Sequence, residues 1–125
     1  MGANNKYYGY KKPEEHYSVI LNDDAGKSIG IMLSIAYDNG KFSIVKVNWG
    51  TEEDYERSHN GEVEMNWCFD EENTKKLMLR TGTHNGKDML RALYERFKEK
   101  ADVADFYITK FCDEKEIKYT YNVFY

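Results

Sequence analysis

Apolar and polar positions alternate with a period of two through much of the first half of the chain, the signature of strands with one buried face. From His16 to Asn22 the alternating residues are Tyr17, Val19 and Leu21, and Asp23-Asp24-Ala25-Gly26 follows with turn chemistry. Ser28 to Tyr37 carries Ile29, Ile31, Leu33, Ile35 and Tyr37 on one parity and the smaller Gly30, Ser34 and Ala36, with Met32, on the other. Asp38-Asn39-Gly40 predicts a tight hairpin, because Asn and Gly accept the positive φ such turns require. Phe42 to Trp49 then returns with Val45, Val47 and Trp49 on one side and Phe42 and Ile44 on the other. Gly50 to Gly61 reads as a polar connection. Glu62 to Phe69 is a fourth strand, with Val63, Met65, Trp67 and Phe69 facing inward and Glu62 and Glu64 facing solvent.

After Phe69 the period changes. Asp70 is placed to cap a helix whose first turn holds Glu71 and Glu72, acids that suit the positive end of its dipole. Leu77 and Met78 are its expected buried residues, and Gly82 ends it. Thr83 or Asn85 caps a second helix over about Gly86 to Lys100, in which Met89, Leu93 and Phe97 lie four apart, as do Leu90 and Tyr94. A third helix, about Asp102 to Glu114, sets Val103, Phe106, Tyr107 and Phe111 on a stripe. A last strand alternates from Ile117 to Tyr125, with most of its tyrosines expected to face the core. The residues through Glu15, with Tyr7, Tyr8 and Tyr10 among Lys6, Lys11 and Lys12, read as an arm or an edge strand.

The expected fold class is therefore α+β: an antiparallel β-sheet of four to five strands in the order ββββ-α-α(-α)-β, with helices packed on one face. A length of 125 residues predicts one domain over 1–125, with the arm at 1–15. A hydrophobic share of 41% with 15% aromatics argues against a disordered chain. Two cysteines, Cys68 and Cys112, are too few for a disulfide framework, and their apolar neighbours predict two buried free thiols. No apolar signal segment and no run of about 20 apolar residues appears, so the expected setting is cytoplasmic and away from the membrane.

Charge changes the picture more than composition does. The net charge is −4, yet Gly50 to Glu72 holds nine acids and one base, so that segment is −8 and the remainder +4. This balance argues against duplex nucleic acid as a direct ligand, since that affinity rests on Lys and Arg. Aromatics interleaved with lysines resemble single-strand stacking platforms, but the RNP1 pattern is missing.

The chain carries no family motif that transfers residue by residue. There is no nucleophile elbow, no CxxC, no HExxH and no EF-hand loop, and no cofactor or metal is expected. The segment Thr81 to Gly86, with Arg80, Thr83, His84 and Asn85, lies between two helices, where free N–H groups can hold an anion. A helix stop, a turn and a helix start use the same residues. The expectation for function is a non-enzymatic protein-binding domain, a monomer or homodimer, whose Glu52, Glu53, Asp54, Glu56, Glu62 and Glu64 meet a basic protein partner such as a nuclease or other nucleic-acid enzyme. Acidic inhibitors of the immunity or anti-defence type use that layout, with carboxylates standing where phosphates sit. The alternative is a small-ligand or anion-binding module, possibly an enzyme, at Thr81–Gly86.

Overall fold

The computed structural model describes residues 13–125; the tyrosines and lysines of the predicted arm lie outside the described residues. Five strands form one sheet in sequence order, β1 (His16–Asp23), β2 (Gly30–Asp38), β3 (Lys41–Trp49), β4 (Glu62–Cys68) and β5 (Thr120–Phe124). Every neighbouring pair is antiparallel. Helices α1 (Glu52–Arg57), α2 (Glu71–Thr81), α3 (Gly86–Phe97) and α4 (Ala104–Glu114) complete the order, with a 3-10 segment at Lys98–Val103 between the last two. The chain is thus α+β with an antiparallel sheet, and its helices lie between and after the strands as β-β-β-α-β-α-α-α-β.

The alternation dictates the layers. Leu33, Ile35 and Tyr37 of β2 and Phe42 and Ile44 of β3 are buried against Leu77 of α2, Met89, Leu90 and Leu93 of α3, and Ile108 of α4. On the opposite parity of β2, Met32, Ser34 and Ala36 stay half-buried and Gly30 is buried. There Gly30 is needed for space: a Cβ would enter the Trp49 ring, 2.6 Å from Cζ2. Trp49 in turn donates its indole N–H to the Lys27 carbonyl at 2.8 Å, which fixes the β1–β2 turn against β3. The β2–β3 hairpin turns as predicted, with Asn39 at φ 48° and Gly40 at φ 92°.

Lys46 breaks the apolar run on the helix-facing side of β3. Its ammonium meets the Asp105 carboxylate of α4 at 3.0 Å, with the side chains only 12% and 13% exposed, so an ion pair ties the last helix to the middle of the sheet.

Several expectations shift. The Gly50–Gly61 connection contains α1, which the charge density there obscures. The third helix starts at Ala104, and its buried stripe is Ala104, Ile108, Phe111 and Cys112, while Val103 and Phe106 are 40% and 58% exposed. The 3-10 segment, with Lys100 at φ −124°, rotates that stripe away from the expected one. Hydrogen bonding of β5 begins at Thr120, later than Ile117, because Ile117 is taken into the core and Lys118 donates its N–H to Asn73 of α2 at 2.8 Å. Tyr121 and Tyr125 have the helix-facing parity yet remain 49% and 65% exposed, correcting the expectation of core-facing tyrosines. Cys112 is buried, but Cys68 is exposed, since its parity is that of Glu62 and Glu64.

Candidate functional site: an acidic end of the sheet

In an antiparallel meander, β1 and β3 finish at the same end at which β2 and β4 begin. At this end the β3–β4 connection carries α1. Thr51 caps it: its hydroxyl accepts from the Asp54 N–H at 3.0 Å, and the Asp54 carboxylate accepts from the Thr51 N–H at 3.1 Å. This reciprocal capping box satisfies two N–H groups that a helix leaves free. The connection closes on itself through Gly50 N–H to the Gly61 carbonyl at 3.1 Å and Ser58 N–H to the Asp54 carbonyl at 2.9 Å. Gly50 sits at φ 90° directly over Ser28, where a side chain would collide with the Ser28 carbonyl. The sequence Thr51-Glu52-Glu53-Asp54 carries the capping-box spacing, so α1 had a readable signal.

The predicted binding residues divide accordingly. Glu52, Glu53 and Glu56 are exposed on α1, and Glu62 is exposed at the start of β4. Glu64 is half-buried on the face away from the main helices, opposite Val47 on one side and Phe124 on the other. Asp54 does not belong with them. It is 5% exposed and spends its carboxylate on the cap.

Two acids come from elsewhere in the sequence. The β1–β2 turn brings Asp23 and Asp24 to the same end, so among the described residues it holds eight acids with two bases, Lys27 and Arg57. Lys27 pairs with Asp24 at 3.0 Å, and this contact, with the Ile31 N–H second, lowers the Asp24 pKa. Arg57 turns to Tyr125: its guanidinium donates to the phenol oxygen at 3.3 Å and lies 5.2 Å from the ring centroid. Among the described residues, no ion pair involves Glu52, Glu53, Glu56, Glu62 or Glu64. Exposed aromatics accompany these acids, with Tyr55 at 61%, Phe124 at 54% and Tyr125 at 65%.

Asp70, Glu71 and Glu72, which sequence counting joins to the same acidic run, are at the opposite end. Strand β4 carries the chain about 20 Å from Glu62 to Cys68, at roughly 3.3 Å per residue, before Asp70 is reached. Asp70 caps α2 there, accepting from the Asn73 N–H at 2.8 Å, and that bond holds its pKa below the usual carboxylate value. Glu72 faces Lys76 one turn along at 3.7 Å.

In the Thr81–Gly86 loop, helix punctuation uses the predicted residues. Gly82 adopts φ 70° and closes α2, with the Thr83 N–H on the Met78 carbonyl at 3.0 Å. Asn85 caps α3 by accepting from the Asp88 N–H at 2.8 Å, and its amide donates to the Asp88 carboxylate at 2.9 Å. The positive end of α3 therefore already faces an anion of its own chain. His84 is exposed and borders a cavity of about 640 Å³ shared with Glu15, Glu71 and Lys75. Arg80, at the end of α2, is exposed and does not line it. Two carboxylates against one ammonium give this cavity no preference for an anion.

Among the described residues the ring nitrogens of His16 meet carboxylates, Asp38 at 2.7 Å and Glu14 at 3.4 Å, and not a cysteine thiol. Burial pushes the Cys112 thiol up to about 12, far from a reactive thiolate. Among the described residues no three His, Cys, Asp or Glu side chains group to hold a metal, and no helix is long and apolar enough to cross a membrane. The chain matches no family model, no curated protein and no solved structure.

Proposed function

We propose that the protein is a non-enzymatic binding domain and that the β3–β4 end of its sheet docks onto a basic surface of a partner protein. The observation that carries this reading is the set of exposed carboxylates on α1 and β4, Glu52, Glu53, Glu56 and Glu62, that have no ion pair among the described residues. Like charges crowded on a small fold repel one another, and a basic partner relieves that repulsion. Tyr55, Phe124 and Tyr125 supply what carboxylates lack, large and stiff apolar area of the kind that anchors interfaces. A capped helix holds the acids in fixed relation to these rings, which favours recognition of a defined surface over general charge attraction.

The partner class that fits best is an enzyme with a phosphate-binding cleft, where carboxylates take the places of phosphates and block entry. In biological terms this is an inhibitor of the immunity or anti-defence type. The test is paired capture from an extract of the native host, using the wild-type chain and a Glu52→Lys/Glu53→Lys/Glu56→Lys variant. A basic nucleic-acid enzyme retained by the first and lost by the second is the expected result. Equal retention by both removes the acids from the interface and overturns the reading.

A further inference from the structure

The outer edge of β1 and the neighbouring helix α3 form a second surface, apart from the acidic end. Among the described residues strand β1 pairs only with β2, so alternate residues along its outer edge direct backbone N–H and C=O groups away from that sheet. Such edges are normally blunted by lysine, proline or a bulge. From His16 to Ile20 this one has none of them, and its register to β2 is regular; the irregularity comes only between Ile20 and Asn22. Helix α3 runs alongside and leaves a groove of about 440 Å³ between itself and the strand. Tyr17 and Val19 form one wall, and Leu90 and Tyr94 form the other. Lys87 and Arg91, one turn apart on α3, stand at its rim, exposed and without an ion pair among the described residues.

We infer that this groove takes an extended peptide segment of a partner protein as a sixth strand, with apolar side chains seated between β1 and α3 and a carboxylate held by Lys87 and Arg91. The backbone edge supplies hydrogen bonds that any sequence can make, while the groove reads every second side chain. The register shift after Ile20 stops the pairing, so the site reads about five residues, a short strand. Charge selects the occupant. Residues 1–12 of the chain bring Lys6, Lys11 and Lys12 and no acid, the wrong sign for this rim. A second copy joined edge to edge would set one basic rim against another across the dyad. An acidic extended segment meets neither objection.

The probe is a phage-displayed library of random decapeptides selected on the full chain, with enriched sequences then synthesised and measured by fluorescence anisotropy. Enriched peptides are expected to alternate apolar residues and to carry Asp or Glu. Lys87→Glu/Arg91→Glu, which alters only exposed side chains, is expected to weaken them by about tenfold or more, as loss of charge complementarity does. Exchanging the peptide's acid for Lys is expected to restore binding to that variant. Bound peptide is expected to slow hydrogen exchange of the β1 amides. Failure to enrich any peptide, affinity unchanged by the reversal, or protection away from β1 overturns the assignment, as does a dimer in which β1 amides are already protected. The Glu52→Lys/Glu53→Lys/Glu56→Lys variant is expected to bind the peptide as the wild type does. Loss there places the peptide at the acidic end and also overturns the assignment.

Discussion

The presentation of the acidic end rests on six residues of helix, too few to be stable in isolation, so its caps decide whether it exists. Thr51→Ala removes the hydroxyl that accepts the Asp54 N–H and leaves every charge in place. Loss of an N-cap costs about 1 kcal/mol, and removal of both halves of the box in Thr51→Ala/Asp54→Ala costs about 2 kcal/mol or more, since Asp54 is nearly buried. The core residues Leu33, Ile44, Leu77 and Leu93 are not touched by α1's capping contacts, so the cost falls on local opening. Hydrogen exchange of the α1 amides should therefore speed up about fivefold in the single variant and about thirtyfold in the double one, while β2, β3 and α3 keep their protection. Unchanged exchange in α1 would refute the role of the box. Uniform acceleration across the sheet would refute the view that α1 is a local, separately held element.

The remaining expectations concern the scaffold. Asp105→Ala should cost about 3 kcal/mol in urea unfolding, because it strands a largely buried Lys46, whereas Lys46→Met/Asp105→Leu should lie within about 1 kcal/mol of wild type; additive single costs would contradict this. His16 should titrate in NMR above its ordinary value of about 6.5, owing first to its hydrogen bond with Asp38 and then to Glu14. Its contribution to stability is then fully present below the unfolded pKa and is lost as pH rises through the folded one; Asp38→Asn should bring the midpoint down. Thiol labelling of the folded protein should modify exposed Cys68 at once and Cys112 only on unfolding; fast labelling of Cys112 would contradict its burial.

How much of this was legible beforehand depended on whether a signal was local. Strand parity is local, and the pairs Tyr37–Phe42 and Ile35–Ile44 fall where alternation and the Asn39-Gly40 turn put them. Asp70, Gly82 and Asn85 act at the helix ends their residue types favour. Helix α1 announced itself through the spacing of Thr51 and Asp54, but dense acidity made the segment resemble a solvated loop. Non-local facts were hidden. Counting charge along the chain merged Glu62 with Asp70, which β4 holds at opposite ends, and missed Asp23 and Asp24, which a turn brings to the acidic end. The parity of Tyr121 was readable, while its exposure at the edge of the sheet was not. The groove beside β1 needs α3 in place before it exists at all.

The central proposal is that carboxylates at the β3–β4 end, without an ion pair among the described residues, guide a basic partner to the molecule. Its most direct test is the association rate of the captured partner across a salt series, where the Debye length falls from about 30 Å at 0.01 M to about 3 Å at 1 M. The wild-type rate is expected to fall by tenfold or more over that range, as electrostatically steered association does. Glu52→Lys/Glu53→Lys/Glu56→Lys is expected to associate slowly at low salt and to lose that dependence. Glu95→Lys/Glu99→Lys, on the helical side of the fold where acids and bases balance, is expected to follow the wild type. A triple variant that associates at the wild-type rate at low salt would contradict the claim and leave these acids as a solvating surface alone.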